Sequence, residues 1–239
     1  MSGAARIGLL GGTLDPIHLG HLETAQAAKR TLALDCVYVL PSHVPPHRPQ
    51  QPLASGYHRF AMTALAINGI DGLSASDIEL CAPGPSYTAD TLTRFRERSG
   101  LHGSQIFFIT GADAFAEIET WYRYPEVLDL ANFAVISRPT FPVERLREVL
   151  PSLAERMISV TDARAESRFA AHESRFAGIF LIGAPTPDIS STEIRRRLLA
   201  GETVSGMLPD AVERHIRQHH LYSSRPEFST ADHLHGQNN

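Results

Sequence analysis

Ile7-Gly8-Leu9-Leu10-Gly11-Gly12-Thr13-Leu14-Asp15-Pro16-Ile17-His18-Leu19-Gly20-His21 is the stretch that decides the fold. Residues 7–10 are an apolar run ending in glycines, the pattern of a buried strand. Beyond the turn, Leu19, Leu22, Ala25, Ala28 and Leu32 recur at helical spacing, and residues 36–40 form a second apolar run closed by Pro41. Strand, helix, strand is therefore the opening unit. Working outward, residues 106–109, 133–136 and 179–182 are further apolar runs, with helical patterns at 57–68, 89–98, 125–131 and 143–150. This alternation predicts an α/β fold: a doubly wound parallel sheet covered on both faces, with a small helical part towards the C-terminal end. In such sheets ligands bind beyond the carboxyl ends of the strands, so the turns after residues 10, 40, 109, 136 and 182 are expected to share one site.

The 239 residues are 43% hydrophobic, with 22 basic against 26 acidic side chains. That balance excludes a chain disordered as a whole, and it lacks the clustered basic excess needed to coat nucleic acid or an anionic membrane. No nucleic acid or membrane partner is expected, and any phosphate binding has to be local. Cys36 and Cys81 make no disulfide framework and suit a reducing compartment. With no signal peptide and no apolar run near the length of about 18 residues that spans a bilayer, a cytoplasmic protein is expected. Lys29 is the only lysine, which removes most lysine-based covalent chemistry. Residues 1–222 read as a single domain and 223–239, polar and aperiodic, as a disordered tail. A heptad-spaced near-repeat within 163–177, with Phe169 and Phe176 at matching positions, reads as an inserted helical turn or surface loop and a candidate contact in a homo-oligomer.

Chemistry concentrates at the predicted ligand edge. Gly11 and Gly12 allow close backbone approach, and the helix start that follows offers free N–H groups and a positive dipole end, which together suit an anion. Neither the dinucleotide glycine fingerprint nor the Walker-type loop is present. His18 and His21 lie three apart at the helix entrance, where both imidazoles can meet one phosphate. On residue types alone they could also be surface histidines or half of a zinc site. A second helix start, Ile189-Ser190-Ser191-Thr192-Glu193-Ile194-Arg195, follows the strand at 179–182; simple capping accounts for it, yet it falls on the same edge. Residues 41–48 form a proline-stiffened loop carrying Ser42, His43, His47 and Arg48, suited to a second phosphate. Trp121 is either a core filler or a face on which a heteroaromatic ring stacks.

Residues 11–21 resemble the G-G-[ST]-F-D-P-x-H-x-G-H signature of the nucleotidylyltransferase superfamily, with Leu14 in place of the usual phenylalanine, and residues 189–195 resemble its I-S-S-T-x-I-R motif. With Pro85-Ser86-Tyr87-Thr88, Gly111-Ala112-Asp113, Trp121-Tyr122 and Ser137-Arg138-Pro139, the chain is similar over residues 6–222 to the bacterial nicotinate-mononucleotide adenylyltransferases. The resemblance implies adenylyl transfer from ATP to nicotinate mononucleotide, forming deamido-NAD and pyrophosphate. It implies catalytic roles for His18, His21 and Arg195, and ATP contacts from Gly11, Gly12, Thr13, Gly111, Asp113, Ser190 and Ser191. Acceptor contacts fall to Ser42, His47, Arg48, Thr88, Trp121 and Arg138, with the nicotinate carboxylate at Thr88 and the pyridine ring on Trp121. No acidic residue stands in the 86–88 turn to repel that carboxylate. Magnesium is expected to arrive with ATP, with no metal assigned to the protein itself. The acceptor phosphate is already an anion, so no general base is required. The first and last motifs alone would also suit a relative acting on pantetheine phosphate or on the amidated mononucleotide. A nucleotide sensor would not need both histidines, and a class I synthetase fragment would need a surface for tRNA.

Overall fold

In the computed structural model, which describes residues 5–46, 52–160 and 177–223, the apolar runs become the strands of one parallel sheet. The strands are β1 (Ile7–Gly12), β2 (Cys36–Pro41), β3 (Leu73–Ala75), β4 (Ile106–Gly111), β5 (Asn132–Ile136), β6 (Met157–Val160) and β7 (Ile179–Ile182). Their order is β3-β2-β1-β4-β5-β7-β6, and every pairing is parallel. The helices are α1 (Leu19–Thr31), α2 (Gly56–Ile67), α3 (Thr88–Ser99), α4 (Ala112–Phe115), α5 (Val127–Leu130), α6 (Leu146–Val149), α7 (Ser191–Ala200) and α8 (Asp210–Gln218).

Because strand side chains alternate between faces, consecutive residues supply two different cores. Leu10, Phe107, Ile109, Ala134, Ile136, Phe180 and Ile182 join the helices α1, α2 and α8 on one face. Leu9, Phe108, Phe133, Val135, Ile179 and Leu181 join Leu92, Phe115, Val127 and Leu146 on the other. The sheet is therefore doubly wound, as the sequence predicts. Two strands escape the sequence reading, β3 and β6. Both are short edge strands, and each leaves residues partly exposed, so neither presents a continuous apolar run. The helix expected at 143–150 is divided into a 3-10 turn, Val143–Arg145, and α6.

Register fixes where the ligand edge lies. Leu10 stands opposite Val39 of β2 and Ile109 of β4, and Ile136 of β5 stands opposite Gly111 and Ile182. The carboxyl ends of the central strands thus align, and chain order reverses between β1 and β4, the switch point at which such sheets open a crevice. His47, Arg48, the near-repeat up to residue 176 and the tail from 224 lie outside the described residues. Among the described residues no helix is long and apolar enough to cross a membrane.

Candidate active site

His18 caps the N-terminal end of α1, and His21 sits in its first turn, with ring centroids 3.7 Å apart. The His18 backbone N–H donates to His21 Nδ1 at 3.2 Å. Burial, reinforced by His18 and Arg138, holds the His21 imidazole well below the usual histidine range, so the ring is neutral and its one proton resides on Nε2. His18 is only 4% exposed, and burial with the nearby Arg138 charge lowers it to about 3. Its Nδ1 is buried without a hydrogen-bond partner. Gly20 makes this crowding possible, since a Cβ there would lie 3.1 Å from His18 Nδ1 and Cε1. The pair can therefore meet an anion as neutral hydrogen-bond donors rather than as cations.

The turn carrying them is fixed from beneath. Asp15 is fully buried, and its carboxylate accepts the N–H groups of Leu53 at 2.8 Å and Ala54 at 3.1 Å and the hydroxyl of Tyr222. Arg59, 1% exposed, donates to the carbonyls of Thr13 at 2.8 Å, Ala54 at 3.2 Å and His43 at 3.4 Å, and to that of Ser42. The loops after β1 and β2 are thereby tied to α2. From the other direction α7 docks on the same turn: Ser191 Oγ donates to the Pro16 carbonyl at 2.9 Å and Arg195 Nη1 to the Asp15 carbonyl at 2.7 Å. The Ser190 hydroxyl is committed to capping α7, accepting the Glu193 N–H at 3.2 Å. Arg196 and Arg197 pair with Glu193, and Arg196 also with Glu202, so both point to structural ion pairs.

On the other side of Gly12 opens a cavity of about 450 Å³. Gly11, Gly12, Thr13, Ser42, Thr88, Asp113 and Trp121 line it, as the sequence reading expects of one site. Ser42 Oγ is buried without a partner, while its N–H donates to the Gly12 carbonyl at 2.9 Å. Thr88 is the first residue of α3, so free N–H groups of that helix start border the cavity. Ser86 ties this turn to the β2 loop, accepting the His43 N–H at 2.8 Å. Arg138 reaches Asp113 at 3.7 Å across Gly111, where a Cβ would fall 2.5 Å from Asp113 Oδ1 and 2.6 Å from Arg138 Nε. Trp121 packs edge-on against Phe108, as a core filler would, and also lines the cavity. His18, His21, Ser191 and Arg195 are not cavity walls; they stand along the β1–α1 turn beside it.

The cytidylyltransferase-like family model matches residues 9–197. The protein named "Probable nicotinate-nucleotide adenylyltransferase" of Desulfatibacillum aliphaticivorans is 38% identical, over 91% of this chain and 99% of its own. That of Moorella thermoacetica is 39% identical, over 92% and 93% respectively. The chain belongs to the nicotinate-nucleotide adenylyltransferase family. Its fold also matches the nicotinic acid mononucleotide adenylyltransferase of Plasmodium falciparum, solved as a complex with NaAD, at a TM-score of 0.70 and 18% identity, covering 92% of this chain and 98% of that one.

In this nicotinate-nucleotide adenylyltransferase family member, several side chains that shape the site are given no site role by the sequence reading. Asp15 and Arg59 set the turn. The rings of Tyr87 and Tyr122 meet at 4.5 Å between centroids, tilted by 31°, at the cavity rim. Glu79, buried in the cavity wall, accepts the Thr91 hydroxyl at 2.8 Å, and desolvation pushes its carboxyl up. An acidic group does therefore face the cavity, from outside the 86–88 turn.

Proposed function

We propose that this chain transfers the adenylyl group of ATP to nicotinate mononucleotide, releasing pyrophosphate and forming deamido-NAD. One observation carries the reading. Among the described residues, the two buried side-chain polar atoms without a protein partner are His18 Nδ1 and Ser42 Oγ, one in the turn after β1 and one in the loop after β2. Buried polar groups are normally satisfied, so both await a ligand at the switch point.

The acceptor phosphate oxygen attacks the α-phosphorus of ATP; that P–O bond forms as the α–β bridging P–O bond breaks, and the electron pair leaves on pyrophosphate. Catalysis is then positioning and charge stabilisation, without proton abstraction. His18 and His21 donate to phosphate oxygens, and the starts of α1 and α7 add oriented N–H groups. Arg195, anchored on the Asp15 carbonyl, brings positive charge to the triphosphate. Magnesium would come with ATP, held by phosphates and water rather than by this chain, and would supply further neutralisation of the triphosphate charge. In the acceptor half, the first turn of α3 at Thr88 receives the nicotinate carboxylate and Trp121 stacks on the pyridine. His47 and Arg48 meet the acceptor phosphate, and Arg138 orients Asp113 near the ribose. The free thiols of Cys36 and Cys81 suit a cytoplasmic location.

The test is pyrophosphate release from ATP with nicotinate mononucleotide, nicotinamide mononucleotide or pantetheine phosphate as acceptor. A carboxamide presents an NH2 to N–H donors, so the acid is expected to exceed the amide about a hundredfold or more in kcat/KM. Equal use of acid and amide would remove the carboxylate site, and release with none of the three would remove the reaction.

A further inference from the structure

On the face of the sheet opposite the cavity, α2 and α8 bring three imidazoles together. His58 Nδ1 lies 3.1 Å from His215 Nε2, and the ligand nitrogens of His58, His215 and His219 all lie within 4.8 Å of one another. Among the described residues this is the one group of three potential metal ligands that converges. His215 and His219 are four apart, one turn of the same helical segment, with the His219 N–H bonded to the His215 carbonyl at 3.1 Å. A turn of helix thus presents both rings to one side, as helix-borne zinc ligands do. His58 stands in the first turn of α2, held there by the Ser55 cap.

We propose that His58, His215 and His219 form a binding site for one borderline divalent cation of the zinc class, with water completing its coordination. Zn–N bonds of about 2.0–2.1 Å place the nitrogens of a tetrahedral site roughly 3.3 Å apart, close to the His58–His215 spacing already present. His219, the exposed member, closes the remaining gap by rotating its ring. An all-imidazole set selects zinc, cobalt, nickel or copper and rejects magnesium, so this site is chemically separate from any cation that travels with ATP. On binding, the metal replaces the N–H···N contact between His58 and His215; the ring that held the proton there carries it on its other nitrogen, and no proton is lost. The cation bridges two elements that back the reaction turn: α2 carries Arg59 next to His58, and α8 leads into Tyr222, which bonds Asp15. The site is distinct from the adenylyl-transfer residues and stands whether or not that reaction is the right one.

The test uses the untagged full chain stripped with chelator. Cobalt titration is expected to give one equivalent with the visible absorption of a four-coordinate ion, displaced by zinc. Zinc at about a hundredfold over its Kd should raise Tm by about 5 °C or more, while magnesium at the same concentration should not. His219→Ala, an exposed change that leaves the fold intact by far-UV circular dichroism, should weaken cobalt binding at least about tenfold, and His58→Gln should do the same. His233→Ala combined with His235→Ala should leave it unchanged. No cobalt or zinc binding below about 100 μM would overturn the proposal, as would binding unaltered by both His58→Gln and His219→Ala.

Discussion

On the α1 side of Gly12, the Asp15 carboxylate and the Arg59 guanidinium are consumed by backbone groups from two loops, those after β1 and β2, and α7 presses on the same turn through Ser191 and Arg195. On the α3 side the wall is a cavity rimmed by aromatic rings, with Tyr122 49% exposed and the Asp113–Arg138 pair partly solvated. The first half has its geometry fixed before any ligand arrives, as charge stabilisation of a transition state requires. The second half offers shape and a few convergent polar groups, which is what recognition of a heteroaromatic acceptor requires. Under the proposed reaction, rigidity and selectivity thus fall to different loops of one sheet edge.

The contrast can be broken most severely at Arg59. Arg59→Met leaves the carbonyls of Thr13, Ser42, His43 and Ala54 without their donor and Asp15 buried without its cation. A loss of about 3–5 kcal/mol is expected, seen as a fall of roughly 10 °C in Tm. A shift under about 3 °C would mean that the fixed half is not fixed by this side chain.

His21→Ala removes a donor without disturbing the scaffold beneath. Turnover should fall about a hundredfold or more while Tm stays near the parent value, the scale expected for one lost transition-state donor. Turnover close to that of the parent would place the reacting phosphates elsewhere.

Acid sensitivity separates the halves again. Folded His18 stays neutral down to about pH 3, whereas an unfolded histidine takes a proton near 6.5. Between those values the unfolded chain binds a proton that the folded chain refuses, so stability falls as pH falls. The slope is about 1.4 kcal/mol per pH unit for this one residue. Denaturant titrations from pH 6.5 to 5 should give His18→Asn a shallower slope by about that amount; identical slopes would show that His18 titrates normally.

The smallest effect belongs to the open half. Trp121→Ala should lower kcat/KM about tenfold for acid and amide acceptors alike, because stacking is indifferent to the ring substituent. A change in the acid-to-amide ratio would assign Trp121 a part in selectivity instead.

Legibility in the sequence followed locality. β1, β2, β4, β5 and β7 could be read because central parallel strands are apolar on both faces, and the His18–His21 and Ser190–Arg195 segments because each is a strand-to-helix turn complete in itself. Arg59 could not, since an arginine within an amphipathic helix reads as solvent-facing until carbonyls at 13, 42, 43 and 54 converge on it. Glu79 carries no periodic signal and becomes a wall residue only when α3 sets Thr91 beside it. Of the three clustered imidazoles, only the four-residue spacing of His215 and His219 is visible in one dimension; His58 lies 157 residues from His215.

The Tyr222 hydroxyl bonds the Asp15 carboxylate across 207 positions of chain. During synthesis the reaction turn is made 207 positions before the group that completes its hydrogen bonding. At about 5–20 residues per second, the turn waits on the order of ten seconds or more for that partner. Asp15 is buried in the finished fold, so a nascent chain that has made both histidines still holds a solvated or half-paired carboxylate beneath them. The hydrogen bonding of this turn is thus completed only when a distant, later-made segment folds back onto it.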